Sequence, residues 1–314
     1  MLPGSPGARR GADSRPASAS AAGVRLPRAA LLIFPVAVLG IAFAGIFIRL
    51  AQPAPPVIAA FYRMVFAALA MGLWQLARGR RVMWRGRGAG LAVAAGAFFG
   101  ADHALWQTSI ILTTVATSTL LVNITPLHVG LYTRLVLRRP LHRRFVIGAT
   151  LGLLGCAVLL GSPGGGDDDL RGVLLALTAS IFYAGYLLVI GEARREVDTT
   201  SALFLVTCSA AVVLGITALL RGDAFHGFPP SAWAAMVAAA AVSQLVGVLG
   251  IVWSMRFLPA TLASVALLAQ PVAAAALAWG ILGEPIGVVQ ALGGGAVLAG
   301  IALASRAPIG VARG

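Results

Sequence analysis

Residues 126–155 read PLHVGLYTRLVLRRPLHRRFVIGATLGLLG, and residues 271–300 read PVAAAALAWGILGEPIGVVQALGGGAVLAG. Set one above the other at an offset of 145, they align Pro126 with Pro271, Pro140 with Pro285, Gly148 with Gly293 and Gly155 with Gly300. Each stretch is an apolar run, a short break and a second apolar run, a pattern of paired helices. A further match joins IAFAG at 41–45 to IFYAG at 181–185, at an offset of 140. The chain therefore carries two copies of one unit, each five helices long.

Composition says what kind of helices these are. Of 314 residues, 59% are hydrophobic and only 11% charged, with a mean hydropathy of +0.91, against roughly 25% charged in an ordinary soluble domain. That excludes a typical soluble enzyme. Apolar segments of spanning length recur at 29–50, 56–77, 89–108, 113–133, 145–161, 170–190, 200–220, 231–252, 260–282 and 286–305, each close to the 20 or so residues a bilayer requires. The expected fold is an all-α polytopic membrane protein of ten transmembrane helices, arranged as two inverted five-helix repeats. Residues 29–161 form the first repeat and 170–305 the second, with a disordered cytoplasmic tail at 1–28 and a short cytoplasmic tail at 306–314.

The basic residues fix the orientation. All 24 are arginines. With the N-terminus inside, 20 fall in cytoplasmic segments, three (Arg49, Arg171, Arg221) fall outside, and Arg63 lies within a span. This asymmetry places both termini in the cytoplasm of a cell (plasma or inner) membrane protein. It also displaces the alternative that a net charge of +14 marks a nucleic-acid binder. Because five is odd, the second copy enters the membrane from the opposite face. The charges agree: VLRRPLHRR at 136–144 is an inner connection, and its counterpart ILGEPIGVV at 281–289 carries no arginine. An Arg- and Ser-rich leader with Arg9-Arg10 also suits a targeting signal, but the apolar run behind it exceeds the length of a signal core.

The stretch 258–304, with Pro271, Gly283-Glu284, Gly293 and Gly300, resembles the EamA-type family of the drug/metabolite transporter superfamily. The first half follows less closely, since Arg138-Arg139 stand where the family has Gly-Glu. The resemblance implies secondary transport of a small metabolite by alternating access, commonly export, with proton coupling in some members. It implies no enzyme activity and no cofactor.

Inverted-repeat carriers bind substrate near the midplane between their halves, so polar residues at mid-depth are the candidates. Arg63 and Asp102 each lie roughly 10 Å below the expected outer boundary and are expected to form an ion pair, with His103 as an alternate partner. The pair either locks two helices together or serves transport, Arg63 attracting an anionic group while Asp102 or His103 takes up a proton. Asn123 and Gln270 precede the helix-breaking Pro126 and Pro271 and, with the carbonyls those prolines free, form a polar lining or a helix-to-helix bond. Gln244 is similar. Trp106 and Trp253 have mirrored positions and serve as gates or interfacial anchors; Tyr183 and Tyr186 are cavity walls or packing. Glu284 reads as a cap on the last helix.

Gly96/Gly100 and Gly148/Gly152 allow close helix packing, within a monomer or across a homodimer. Cys156 and Cys208 lack metal-ligand spacing, so neither a metal nor a disulfide framework is expected. Two readings outside transport remain. One is a non-transporting structural or receptor-like membrane protein. The other is a polyprenyl-type membrane enzyme holding Mg²⁺ on Asp167-Asp168-Asp169, for which no second acidic cluster exists.

Overall fold

The computed structural model describes residues 28–136, 138, 142–160, 169–254 and 269–306. Residues 1–27 and 307–314 of the expected tails, Pro140, Asp167, Asp168 and the start of the ninth expected span lie outside the described residues.

Everything regular among the described residues is helical. The first apolar run makes α1 (Arg28–Ala42) and α2 (Ala44–Leu50), separated at Phe43. Then come α3 (Pro56–Ala77) and α4 (Arg87–Leu112). The run expected at 113–133 is broken into α5 (Val115–Val122) and α6 (Thr125–Leu135). Pro126 explains the break: it sits in the first turn of α6, where its missing N–H costs nothing. Helices α7 (Arg143–Leu160), α8 (Leu170–Ala193) and α9 (Thr199–Arg221) are continuous.

The next segment departs from the expected regular helix. It begins as α10 (Pro230–Ala238), continues as a π-helical stretch over Ala239–Leu249 and ends as α11 (Gly250–Ser254). Wide turns of this kind are rare and concentrate at functional positions. Here α1 crosses the stretch with backbone nearly touching backbone: a Cβ on Gly40 would stand 2.9 Å from the Val242 carbonyl, and one on Gly247 would stand 2.7 Å from Ile41. After α12 (Ala269–Leu277) and a short π turn at Ala278–Leu282, the described chain ends in α13 (Val288–Ser305).

Among the described residues, six helical segments are long and apolar enough to cross a bilayer: Leu32–Leu50, Pro56–Ala77, Arg87–Leu112, Leu170–Ala193, Thr199–Arg221 and Pro230–Ser254. Their outward faces carry bare aliphatic side chains, such as Leu73, Leu219 and Leu220, as a lipid-facing surface requires.

The repeat-related helices α7 and α13 meet each other. Their glycines cross in a fixed pattern, Gly148 against the Gly300 carbonyl and Gly155 against the Gly293 carbonyl, where an added Cβ would fall 2.5 and 2.7 Å away. The two helices therefore run antiparallel. Gly148 is the sequence mate of Gly293, and Gly155 of Gly300, so each contact is the image of the other under a two-fold axis perpendicular to the helices. Gly96 and Gly100 likewise press on α9 at Val206 and Ala210. Both small-residue motifs are thus occupied by packing within the chain.

Candidate functional site

Burial selects the site. Arg63 on α3 is 3% exposed, Asp102 and His103 on α4 are 2% and 4%, and Gln244 in the π stretch is 4%. The Arg63 Nη2 group donates to Gln244 Oε1 at 2.9 Å and to His103 Nε2 at 3.0 Å. A guanidinium has no lone pair to offer, so the His103 ring must accept at Nε2 and carry its proton at Nδ1. That Nδ1–H faces two acceptors, the Phe99 carbonyl at 2.9 Å and Asp102 Oδ2 at 3.0 Å.

The expected direct pairing of Arg63 with Asp102 is not the one found, because His103 stands between them. Successive residues on an α-helix point about 100° apart, so α4 presents only one of the two side chains squarely to α3. The three groups instead form a relay, guanidinium to imidazole to carboxylate. Polar capacity is left over. Arg63 Nε and Nη1, Asp102 Oδ1, the Trp106 indole nitrogen, Ser243 Oγ and both amide atoms of Gln107 are buried with no hydrogen-bond partner among the described residues. Buried polar atoms are normally paired, so the unpaired groups on Arg63 and Asp102 leave the relay with hydrogen-bonding capacity to spare.

Aromatic rings wall one side. Phe99 lies 4.1 Å from the His103 ring and 4.8 Å from Tyr186, which stacks on Tyr183 at 5.5 Å. Trp106 is not near a helix end, as its expected gate position required; α4 continues to Leu112, and the indole sits inside the bundle 5.8 Å from His103. Trp253 belongs elsewhere. It lines a cleft of about 550 Å³ with Met71, Trp74, Arg80, Leu203 and Leu249. This cleft continues the Arg63 face of α3, since Ala70 and Trp74, also in its lining, recur two and three turns beyond Arg63.

The amides expected as a matched pair do not join the relay. Asn123 ends α5 and its Nδ2 donates to the Thr119 carbonyl at 2.8 Å. Gln270 is half-buried at the described start of α12, beside a buried Pro271. Gln107 and Ser243 were missed in the sequence. Gln107 is one turn beyond His103 on the same face of α4, and that i+4 spacing was the available signal.

The opposite end of the bundle carries an ion pair between the halves. Arg49 at the end of α2 lies 3.5 Å from Glu284 and also donates to the Thr113 carbonyl. Glu284 Oε2 accepts the Val115 N–H at 2.9 Å, at the start of α5. Besides standing before the last helix, Glu284 thus ties α2 and α5 to the turn that precedes it. Gln290 serves the start of that helix, accepting the Gly287 N–H at 2.9 Å.

The EamA-like transporter family model matches the chain twice, over residues 28–161 and 170–306. The chain belongs to the EamA-like transporter family. It is thus a multi-pass membrane protein of the drug/metabolite transporter superfamily, whose EamA-like members are transporters rather than enzymes. A search of curated proteins returned no match. One solved structure, described only as the crystal structure of a protein, superimposes with a TM-score of 0.61 at 21% identity, covering 88% of this EamA-like chain and 96% of that one. At that identity the likeness concerns the fold.

Proposed function

We propose that this EamA-like chain is a secondary transporter that exports a small metabolite, such as an amino acid, across the cell membrane by alternating access, with proton coupling at the His103 relay. In this reading ten helices form two inverted repeats, both termini are cytoplasmic, and the small-molecule substrate meets Arg63 between the halves. The observation that carries it is the placement of Arg63. A buried cation, costly in a membrane, is held by His103 from the first repeat and by Gln244 from the second, so a rearrangement of the halves must change its partners.

The antiparallel mates α7 and α13 support inversion. The cleft beside Arg80 and Trp253 lies at the end that the arginine count makes cytoplasmic, and the Arg49–Glu284 pair joins the halves at the other, as suits a carrier waiting to load from inside. The unpaired atoms around the relay are what a compact amphipathic metabolite would engage.

Counterflow in proteoliposomes tests the proposal. Vesicles preloaded with individual amino acids and related metabolites should accumulate the labelled compound in at least one case, and Arg63→Ala should lower it about tenfold to a hundredfold. Silence across the whole panel from folded protein would favour a non-transporting membrane role.

A further inference from the structure

The relay contains one lone pair with two claimants. His103 Nε2 accepts from Arg63 Nη2 at 3.0 Å, while its other nitrogen is committed to the Phe99 carbonyl and Asp102. On the His103 ring an added proton can bind only at Nε2, and there it puts an N–H where Arg63 already points one. Arg63 keeps its bond to Gln244 but loses its histidine acceptor. Its Nε–H and Nη1–H groups, which have no partner among the described residues, are then joined by a third direction of unmet donation.

Charge balance points the same way. With neutral His103, Arg63 and Asp102 cancel. Protonation leaves one uncompensated positive charge in a place that water does not reach, a state stable only when a counter-charge arrives. Among the described residues the neighbours do not provide it. From α8 come the phenols Tyr183 and Tyr186; α9 presents Ala210 and Val213 at Gly100; the π stretch presents Ser243 and Gln244; and Arg49 on α2 is engaged at Thr113. Asp102 is the one carboxylate of the relay, and it already balances Arg63.

We infer that a proton and an anionic substrate group bind this site together, the proton on His103 Nε2 displacing Arg63 so that the guanidinium takes up a carboxylate or similar compact anion. This rests on the reading that Arg63 meets the substrate. It fixes the sign of the coupling: the anion tightens proton binding and the proton tightens anion binding by the same factor. The two would thus move together, export would run on the metabolite's own outward gradient, and a purely cationic ligand competes with the proton.

Calorimetry on the purified protein in detergent tests it, with benzenesulfonate as the probe because that anion stays ionised between pH 5 and 8. Affinity should rise as pH falls, approaching about tenfold per pH unit where one proton is taken up per anion, with the uptake read from buffers of different ionisation enthalpy. In His103→Gln the amide oxygen replaces the acceptor without a titrating nitrogen, and binding should become weak and flat with pH. A flat profile in the unaltered protein, binding that tightens as pH rises, or a slope that survives in His103→Gln would overturn the inference.

Should His103→Gln not fold, nitrogen-15 histidine spectra of the unaltered protein decide. Benzenesulfonate added at constant pH should convert His103 from the neutral Nδ1–H form to imidazolium, and an unchanged ring refutes the coupling. Counterflow with a flat binding profile would leave the transport reading standing and remove this one; linked binding without counterflow would do the reverse.

Discussion

Arg49 and Glu284 lie 3.5 Å apart and tie the end of α2 to the turn before α13. The contact has no image in the other half. At the offsets that relate the repeats, the mate of Arg49 is Val189 and that of Glu284 is Arg139, residues that cannot make an ion pair. The other end of the bundle carries an ion pair of its own between the halves, Arg87 with Glu196 at 3.2 Å, but it is far more exposed. Glu284→Ala removes both the pair and the acceptor for the Val115 N–H, and should cost about 1–3 kcal/mol. Arg49→Ala combined with Glu284→Ala should cost clearly less than the sum of the two. Denaturant unfolding in detergent of the single and double variants measures this; additive losses would mean the two residues act separately.

Arg63 should resist conservative replacement. Beyond the Nη2 that serves His103 and Gln244, its guanidinium offers Nε and Nη1 in a fixed plane, a fork that an ammonium on a flexible stem lacks. Counterflow is expected to fall about tenfold to a hundredfold in both Arg63→Lys and Arg63→Ala, and less in Gln244→Ala. Full activity in Arg63→Lys would assign the site to charge alone.

The glycine crossing admits a paired comparison. A Cβ on Gly300 would stand 2.5 Å from the Gly148 carbonyl, whereas one on Gly295, in the same helix, meets nothing within 4 Å. Gly300→Ala should destabilise by about 1–3 kcal/mol; Gly295→Ala should be neutral or slightly stabilising. Equal thermal shifts for the two variants would refute the backbone contact.

Asp198 gives the loop before α9 a defined pH response. Its Oδ1 accepts from the Thr200 and Ser201 N–H groups, each at 3.1 Å. Partial burial opposes its charge, but these bonds and nearby Arg80 outweigh it and hold the carboxyl below its ordinary 3.8. The stabilisation is thus complete above pH 3.8 and is lost as pH falls through the lowered folded value. Asp198→Ala should cost about 1 kcal/mol near neutrality, and the difference from the parent should shrink only below about pH 4. A difference that vanished between pH 5 and 7 would contradict the cap.

Much of this was legible in the sequence because it is periodic or local. The offset of 145 that pairs Gly148 with Gly293 reappears as a crossing of two helices. The convergence of Arg63, Asp102 and His103 followed from depth, since charges at one level of neighbouring helices seek each other. What failed or was missed depended on direction or distance. Whether Asp102 or His103 faces Arg63 is a matter of helix rotation, which a residue number does not encode. Glu284 was assigned to the helix beside it in the chain; its further partners Arg49 and Val115 are remote in sequence. The π stretch that carries Gln244 left no mark on AAAVSQLVGVL at 239–249; it lies where α1 crosses closely at Gly40 and Gly247, a contact remote in sequence.

The antiparallel seam of α7 and α13 has one more property. Suppose the two repeats trade shapes, the first adopting the form now held by the second and the reverse. Gly148 on Gly300 then becomes Gly293 on Gly155, an interaction already in place. The seam comes through such a swap with nothing broken and nothing new to form. Arg49 and Glu284 must part. In the alternating access proposed above, the rearrangement would thus fall on the Arg49–Glu284 pair and on the Arg63 bonds between the halves, beside a seam that keeps its contacts.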